Sequence, residues 1–277
     1  MREFFWRWGL AAARELSLRL SPRRRHRWAA AVGRFLGKIS TGHRRAVRQN
    51  LDVIEAFSGK SFSLDAVFGQ FAVMLSDFLA GVRPDVPIEG LEKAEAARSK
   101  GKGVLFLTSH LGHWELGGKI LAHLGWDVTA VFQPYRSKAL QALIQGRRAE
   151  GLDYLPVGKG AAAGVGRVLE RGGAVALLAD RPFGEVGEPV KLCGRMARLP
   201  RGPFLFAVRH GTPIVPGFVL MEGPGKYRGV VEEPLWPSGK GPAAVKELLD
   251  RTAQILEKYV SSHADQWFCF EPVWRAE

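Results

Sequence analysis

From residue 104 onward the chain alternates two patterns. Short, unbroken apolar runs occur at 104–108, 128–132, 174–178 and 214–220, with a later one near 227–231. Between and after them, apolar residues recur at steps of three and four over 114–124, 137–148, 161–171, 203–209 and 242–261. An apolar run without polar alternation suits a strand buried on both faces, and the three–four spacing suits an amphipathic helix. An earlier helical pattern, 63–81, repeats Leu64, Val67, Phe68, Phe71, Leu75, Phe78 and Leu79, and is broken by Arg83-Pro84 and Val86-Pro87. The segment 114–124 stops at Gly125, a residue type suited to the position after a helix C-terminus. The alternation predicts an α/β fold, a mostly parallel central sheet flanked by helices. In such sheets ligands bind beyond the carboxyl ends of the strands. The residues that follow 108 and 178 are therefore where chemistry is expected.

The first 50 residues have a different character. They hold 13 Lys and Arg against only Glu3 and Glu15, which places +11 of the chain's formal +13 in this segment. Residues 1–20 fit a helix with Glu3, Arg7 and Arg14 on one narrow arc and Phe4, Phe5, Trp8, Ala12 and Leu16 away from it. Aromatic residues on one side and arginines on the other make the pattern of an interfacial segment. The run Arg23-Arg24-Arg25-His26-Arg27 attracts anionic headgroups, at about 1 kcal/mol per basic residue near the surface. No stretch approaches the roughly 18 uncharged apolar residues a spanning helix needs. Arg7, Arg14 and Arg19 interrupt any signal-peptide core. The expectation is a basic amphipathic N-terminal membrane-associating segment, residues 1–50, on an α/β domain, residues 51–277, lying on an anionic membrane surface rather than crossing it. Basic patches also attract nucleic acid, but no recognised nucleic-acid module accompanies this one, so no nucleic-acid partner is expected. Cys193 and Cys269, 76 positions apart, give no disulfide framework.

Residues 109–116 read Ser-His-Leu-Gly-His-Trp-Glu-Leu, directly after the first apolar run. A His oriented by a carboxylate is the minimal equipment for removing a proton from an alcohol. Residues five apart on an ideal helix point about 140° away from each other. His110 and Glu115 therefore meet only if His110 is still in the turn and Glu115 is in the first helical turn. A lone His at this place would read as a satisfied helix cap; the accompanying Glu115 favours catalysis. His110, His113 and Glu115 do not make the His-Glu-x-x-His zinc signature and lack a third ligand cluster, so no metal is expected. Gly158-Lys159-Gly160 lacks the Gly-Lys-Ser/Thr ending of a phosphate loop and reads as a turn and helix start.

These residues resemble a known family. The sequence is similar to the bacterial lipid A late acyltransferases (lauroyl and myristoyl acyltransferases), within the lysophospholipid/glycerolipid acyltransferase superfamily, whose hallmark is His, four residues, then Asp or Glu. Val131-Phe132-Gln133-Pro134 resembles the family's Val-Tyr-Arg-Pro block, and Leu178-Ala179-Asp180-Arg181 its Leu-Pro-Asp-Gln block. Arg147 matches a basic position after the first block, residues 194–216 follow its pattern through Gly-x-Pro-Ile-Val-Pro, and Asp265-Gln266-Trp267 is similar to its C-terminal Glu-Gln-Tyr/Trp. Two departures concern the acceptor's anionic groups: Gln133 replaces an Arg, with Arg136 the nearest substitute, and Glu271-Pro272-Val273-Trp274 replaces a His-Arg-Arg stretch.

The resemblance implies a glycerolipid acyltransferase-like fold and transfer of a fatty acyl chain from an acyl thioester to a hydroxyl of a membrane lipid. It implies no cofactor. His110 would be the general base, and Glu115 would hold its ring and stabilise the imidazolium. Oxyanion donors would come from backbone N–H groups at the helix N-terminus or from Arg147. Arg136, Arg147, Asp180 and Arg181 would bind substrate, and Trp114, Phe132, Phe183, Phe204 and Phe206 are candidates to line the acyl groove. The donor would be acyl carrier protein or acyl-CoA, and the acceptor a lipid A precursor, with a lysophospholipid, glycolipid or mannoside as alternatives. The place of action would be the cytoplasmic face of the bacterial inner membrane. The non-enzymatic alternative is a catalytically inactive membrane-binding protein.

Overall fold

The computed structural model describes residues 2–82, 85–135, 137–146, 151–181 and 187–274. Among these, four helices come first: α1 (Arg2–Arg19), α2 (Pro22–Ile39), α3 (Thr41–Ser58) and α4 (Leu64–Ala80). There follow β1 (Ile88–Glu89), α5 (Leu91–Arg98), β2 (Val104–Thr108), α6 (Trp114–His123), β3 (Val128–Phe132), α7 (Lys138–Gln145), β4 (Leu152–Pro156), α8 (Ala161–Glu170) and β5 (Ala174–Leu178). The chain then forms β6 (Glu188–Leu192), β7 (Arg195–Leu199), α9 (Gly202–His210), β8 (Ile214–Gly223), β9 (Lys226–Val231), α10 (Gly241–Val260) and a short turn of 3₁₀ helix, Ala264–Gln266.

Seven of the described strands form one sheet in the order β1-β9-β8-β2-β5-β3-β4. Every neighbouring pair is parallel except β8 with β9, which are joined by a tight turn. The α/β architecture with a mostly parallel sheet flanked by helices is thus the one the apolar runs predict. β2 is at the centre and pairs residue for residue with β5, from Val104↔Ala174 to Thr108↔Leu178. Its alternate side chains serve two cores. Leu105 and Leu107 join the large core with α3, α4, α8, α9 and α10. Val104 and Phe106 join a smaller one with Ala94 and Ala97 of α5 and with Trp126.

Four strands escape the sequence pattern, each for a physical reason. β1 has only two residues. β4 is the outermost strand and carries exposed Asp153, so it needs no unbroken apolar run. β6 and β7 form a separate antiparallel hairpin, in which Val190, Leu192, Ala197 and Leu199 are buried while Lys191, Arg195 and Arg198 are exposed. The division drawn at residue 50 falls inside α3, whose Val47, Leu51, Val53 and Ile54 are core residues.

The N-terminal helices are attached through a buried carboxylate. Asp77 of α4 is fully buried and accepts from Arg25 Nε at 2.7 Å, His26 Nε2 at 2.6 Å and the Tyr227 hydroxyl. Burial works to raise its pKa, but the hydrogen bonds from His26 and Tyr227 and the charges of His26 and Arg25 hold it below the usual carboxylate range. The close approach of α2 to α4 depends on Gly33 and Gly37, where a β-carbon would fall on the Phe68 carbonyl oxygen and ring. Removing one partner of a buried ion pair leaves the others uncompensated, which typically costs about 3–5 kcal/mol. Asp77→Ala is therefore expected to lower folding stability by that order, measured by urea unfolding, with the loss concentrated in the docking of α2.

Candidate active site

β2 ends at Thr108, and the next five residues cross the carboxyl edge of the sheet before α6 begins. Gly112 makes that crossing possible. Its φ is +63°, and a β-carbon there would fall on the Val219 carbonyl oxygen of β8. The loop is held on both sides. The His113 N–H donates to Val219 O at 2.8 Å, Gly112 N–H to Gln266 O at 2.9 Å, and Phe268 N–H to His110 O at 2.7 Å. His113 is buried and caps α6, its Nδ1 accepting from the Leu116 N–H at 3.3 Å. Burial lowers its pKa to about 4, so the ring is a neutral acceptor at physiological pH, as capping requires. As the spacing demands, His110 lies in the turn and Glu115 in the first turn of α6.

Asp180, which the sequence reading placed among the substrate-binding residues, sets its carboxylate on the His110 ring; Glu115, expected to hold that ring, lies in the first turn of α6 and lines the groove described below. His110 Nδ1 lies 2.9 Å from Asp180 Oδ1, and the His110 backbone N–H donates to Oδ2 at 3.1 Å. The Trp267 indole N–H donates to the same Oδ2 at 2.8 Å. Burial pushes the Asp180 carboxyl up, but the facing His110 ring, the Trp267 indole and the His110 amide more than offset it and hold the group at about 2. Asp180 is therefore ionised and accepts only, so in the neutral ring the proton sits on Nδ1 and the lone pair on Nε2. Arg181 Nη2 lies 3.5 Å from Nε2, at the limit of hydrogen bonding, where it can donate to that lone pair. The His110 side chain is 20% exposed and Asp180 only 2%. Asp180, expected to bind substrate, is buried against His110, and Arg181, expected in the same role, is partly buried beside the other ring nitrogen. Arg136 and Arg147 lie outside the described residues.

Beside His110 runs an apolar groove of about 980 Å³, its open mouth included. Phe106, Ala130, Phe132, Ala176 and Leu178 form its floor, and α6 forms a wall with Trp114, Glu115, Gly117, Gly118 and Leu121. Trp114 links the two parts: it lines the groove and sets its ring against His110, 5.3 Å between centroids at 67°. Glycine inside a helix costs roughly 0.5–1 kcal/mol relative to alanine. Here Gly117 and Gly118 keep the wall low, and a β-carbon on Gly118 would come within 3.1 Å of Leu152 Cδ2. Of the aromatic residues proposed for an acyl groove, Trp114 and Phe132 line it. Phe204 is fully buried in the main core and Phe206 packs against that core. Phe183 lies outside the described residues.

A buried carboxylate, an imidazole whose Nε2 faces away from it and a nearby apolar groove are the features that general-base chemistry on a ligand with a long apolar part requires. The chain belongs to the bacterial lipid A biosynthesis acyltransferase family, whose pattern it matches over residues 3–276. It is 29% identical over 197 residues to a phosphatidylinositol mannoside acyltransferase of Mycobacterium tuberculosis, covering 70% of this chain and 61% of that protein. A protein of the same name from Mycolicibacterium smegmatis is 26% identical over 186 residues, covering 66% of this chain and 60% of that one. The matched region thus spans about three fifths of the length of these curated relatives. Among solved structures, a 1-acyl-sn-glycerophosphate acyltransferase of Thermotoga maritima aligns over 92% of this chain and 98% of its own, with 16% identity and a TM-score of 0.36.

The site makes a direct prediction about the tautomer. In ¹⁵N spectra recorded where the His110 ring is neutral, Nε2 is expected to be the unprotonated nitrogen. Asp180→Asn should abolish that preference, because an amide no longer demands a proton on Nδ1. Glu115→Gln should leave it intact; the reverse result would return the orienting role to Glu115.

Proposed function

We propose that the protein is an O-acyltransferase that moves a fatty acyl chain from an acyl thioester to a hydroxyl group of a membrane glycolipid. The observation that carries this reading is the His110–Asp180 pair, joined through Trp114 to an apolar groove. His110 Nε2 takes the proton of the acceptor hydroxyl as its oxygen attacks the thioester carbonyl carbon, and Asp180 stabilises the imidazolium that forms. When the tetrahedral intermediate collapses, the carbon–sulfur bond breaks and the thiolate leaves, taking the proton from the imidazolium. The ester has formed, the thiol is free and His110 is neutral again. The acyl chain occupies the groove, where each buried CH₂ contributes about 0.8 kcal/mol. The thioester donor is carried by acyl carrier protein or CoA.

The family match favours a lipid A precursor as acceptor, and the names of the mycobacterial relatives favour a mannoside. Both present sugar hydroxyls on an anionic lipid. Gln133, exposed after β3 where the resembling family carries Arg, supports an acceptor with less negative charge at that point.

A lipid acceptor requires the site to meet a membrane, and α2 offers a surface for it. Trp28, Val32, Phe35, Leu36 and Ile39 are each at least half exposed and recur at helical spacing. They lie opposite Gly33 and Gly37, which pack on α4, and are accompanied by exposed Arg23, Arg24, Arg27, Arg34 and Lys38. An apolar stripe rimmed by cations is the composition of a helix lying in an anionic interface. The side chains of Phe4, Phe5 and Trp8, expected to share this role, lie outside those described. Among the described residues no helix is long and apolar enough to cross a membrane.

Purified protein given a long-chain acyl thioester and a panel of lipid acceptors should yield an acylated glycolipid, identified by mass spectrometry. His110→Ala should lower kcat/KM by at least about 10²-fold, the scale of a general base, with its thermal unfolding unchanged. A folded His110→Ala protein of wild-type rate would end the general-base reading. For the membrane surface, co-sedimentation with anionic vesicles should weaken at least tenfold in the double variant Phe35→Ser, Ile39→Ser, each fully buried apolar side chain being worth roughly 1.5–3 kcal/mol. Binding of the wild type should also fall with salt, exposed charges being screened over about 10 Å at 0.1 M.

A further inference from the structure

Asp180 accepts from three donors, and one of them belongs neither to the His110 motif nor to β5, which ends two residues before Asp180. It is the indole N–H of Trp267, 87 residues further along the chain. Trp267 is nearly fully buried, and its surroundings fix it tightly. Leu111 and Trp267 form an antiparallel bridge flanked by the Phe268 N–H to His110 O and Gly112 N–H to Gln266 O hydrogen bonds. The Gln266 side chain clasps β8, donating to Met221 O and accepting from Met221 N–H, both at 2.9 Å. Asn50 of α3 holds the segment that follows, donating to Cys269 O and Glu271 O and accepting from Val273 N–H. Trp274 closes the far side edge-on to Trp267, at 6.0 Å between ring centroids. One helix, α3, and one strand, β8, thus hold the C-terminal strap that sets the indole against one carboxylate oxygen.

We propose that Trp267 is a positioning residue for acyl transfer: its indole N–H locks the rotation of the Asp180 carboxylate and withdraws part of its charge, and so sets how strongly Asp180 retains the proton on His110. The inference rests on the general-base reading of His110. The geometry divides the carboxylate in two. Oδ2 is occupied by the Trp267 indole and the His110 amide, which leaves Oδ1 for the His110 ring. Without the indole, Oδ2 loses a donor in a site closed to water, and the carboxylate is free to rotate away from the ring. The charge withdrawn by the indole also returns to Asp180, and a more strongly negative partner favours the protonated imidazole.

Trp267→Phe keeps a buried aromatic ring and removes the N–H. It is expected to lower kcat/KM on the pH plateau about tenfold to a hundredfold, the scale of a misplaced catalytic group. The acidic limb of its kcat/KM profile should move to higher pH by about half a unit to one unit, with KM for the acceptor unchanged. A role in packing alone would lower the thermal midpoint and leave the limb in place, so an unmoved limb with a plateau within twofold of wild type overturns the proposal. A second measurement does not depend on how that variant folds. The Trp267 indole proton in the otherwise wild-type protein should lie downfield and exchange slowly, and it should move upfield in Asp180→Asn; an unchanged resonance overturns the proposal as well. The general-base reading fails separately, on a fully active His110→Ala, so the two failures are distinguishable.

Discussion

The site depends on a single buried charge, the Asp180 carboxylate. It lies where the ends of β2 and β5 meet the C-terminal strap, and all three supply what surrounds it. A carboxylate withdrawn from water at this depth is tolerable only if its oxygens are satisfied. The donors that satisfy it are the His110 amide, the His110 ring and the Trp267 indole. The same bonds that stabilise the charge also fix the tautomer and direction of the imidazole. Stability of the loop and orientation of the His110 ring are therefore one arrangement seen from two sides.

A second buried carboxylate, Asp77, shows the contrast. It too is fully buried and held below the usual range, but a guanidinium, an imidazole and a phenol surround it. It joins α2 to α4 and β9. Its partner Tyr227 lies edge-on to His113, which caps α6. The pair of histidines in the Ser-His-Leu-Gly-His-Trp-Glu-Leu segment thus divides into two roles. His110 is partly exposed and turns its Nε2 towards Arg181, whereas His113 is buried and caps the helix that forms the groove wall.

The groove follows from ordinary rules of parallel sheets. Side chains from alternate positions of β2, β3 and β5 reach one face, and small residues there, Ala130 and Ala176, together with Gly117 and Gly118 opposite, leave space between sheet and helix. The glycines weaken α6 as a helix, and the His113 cap at its start offsets part of that loss. Space near the base is thus created by withholding side chains rather than by bending the backbone.

Much of this was legible in one dimension. Strands buried on both faces must be apolar without interruption, so β2, β3 and β5 appear in the sequence with their observed limits. The turn that holds His110 is visible because an apolar run hands over to a helical pattern within six residues. Gly112 and His113 are part of that local motif, although their work, avoiding the Val219 carbonyl and capping α6, is visible only in space. The contact of Asp180 with His110 was not legible. Sequence proximity points to Glu115, five residues away, whereas the sheet places β5 beside β2 although β3 and β4 come between them in the chain. That adjacency, with Thr108 paired to Leu178, carries Asp180 to His110 across 70 residues. The Trp267 donor and the Asn50 clasp depend likewise on the C-terminal strap returning over the sheet edge. Which segments must be buried, and which residue types are at hand near the sheet edge, can be read from pattern, because burial and local turns are short-range matters. That Asp180 meets His110 is settled in three dimensions, because strand order and side-chain satisfaction in a closed interior are properties of the whole chain.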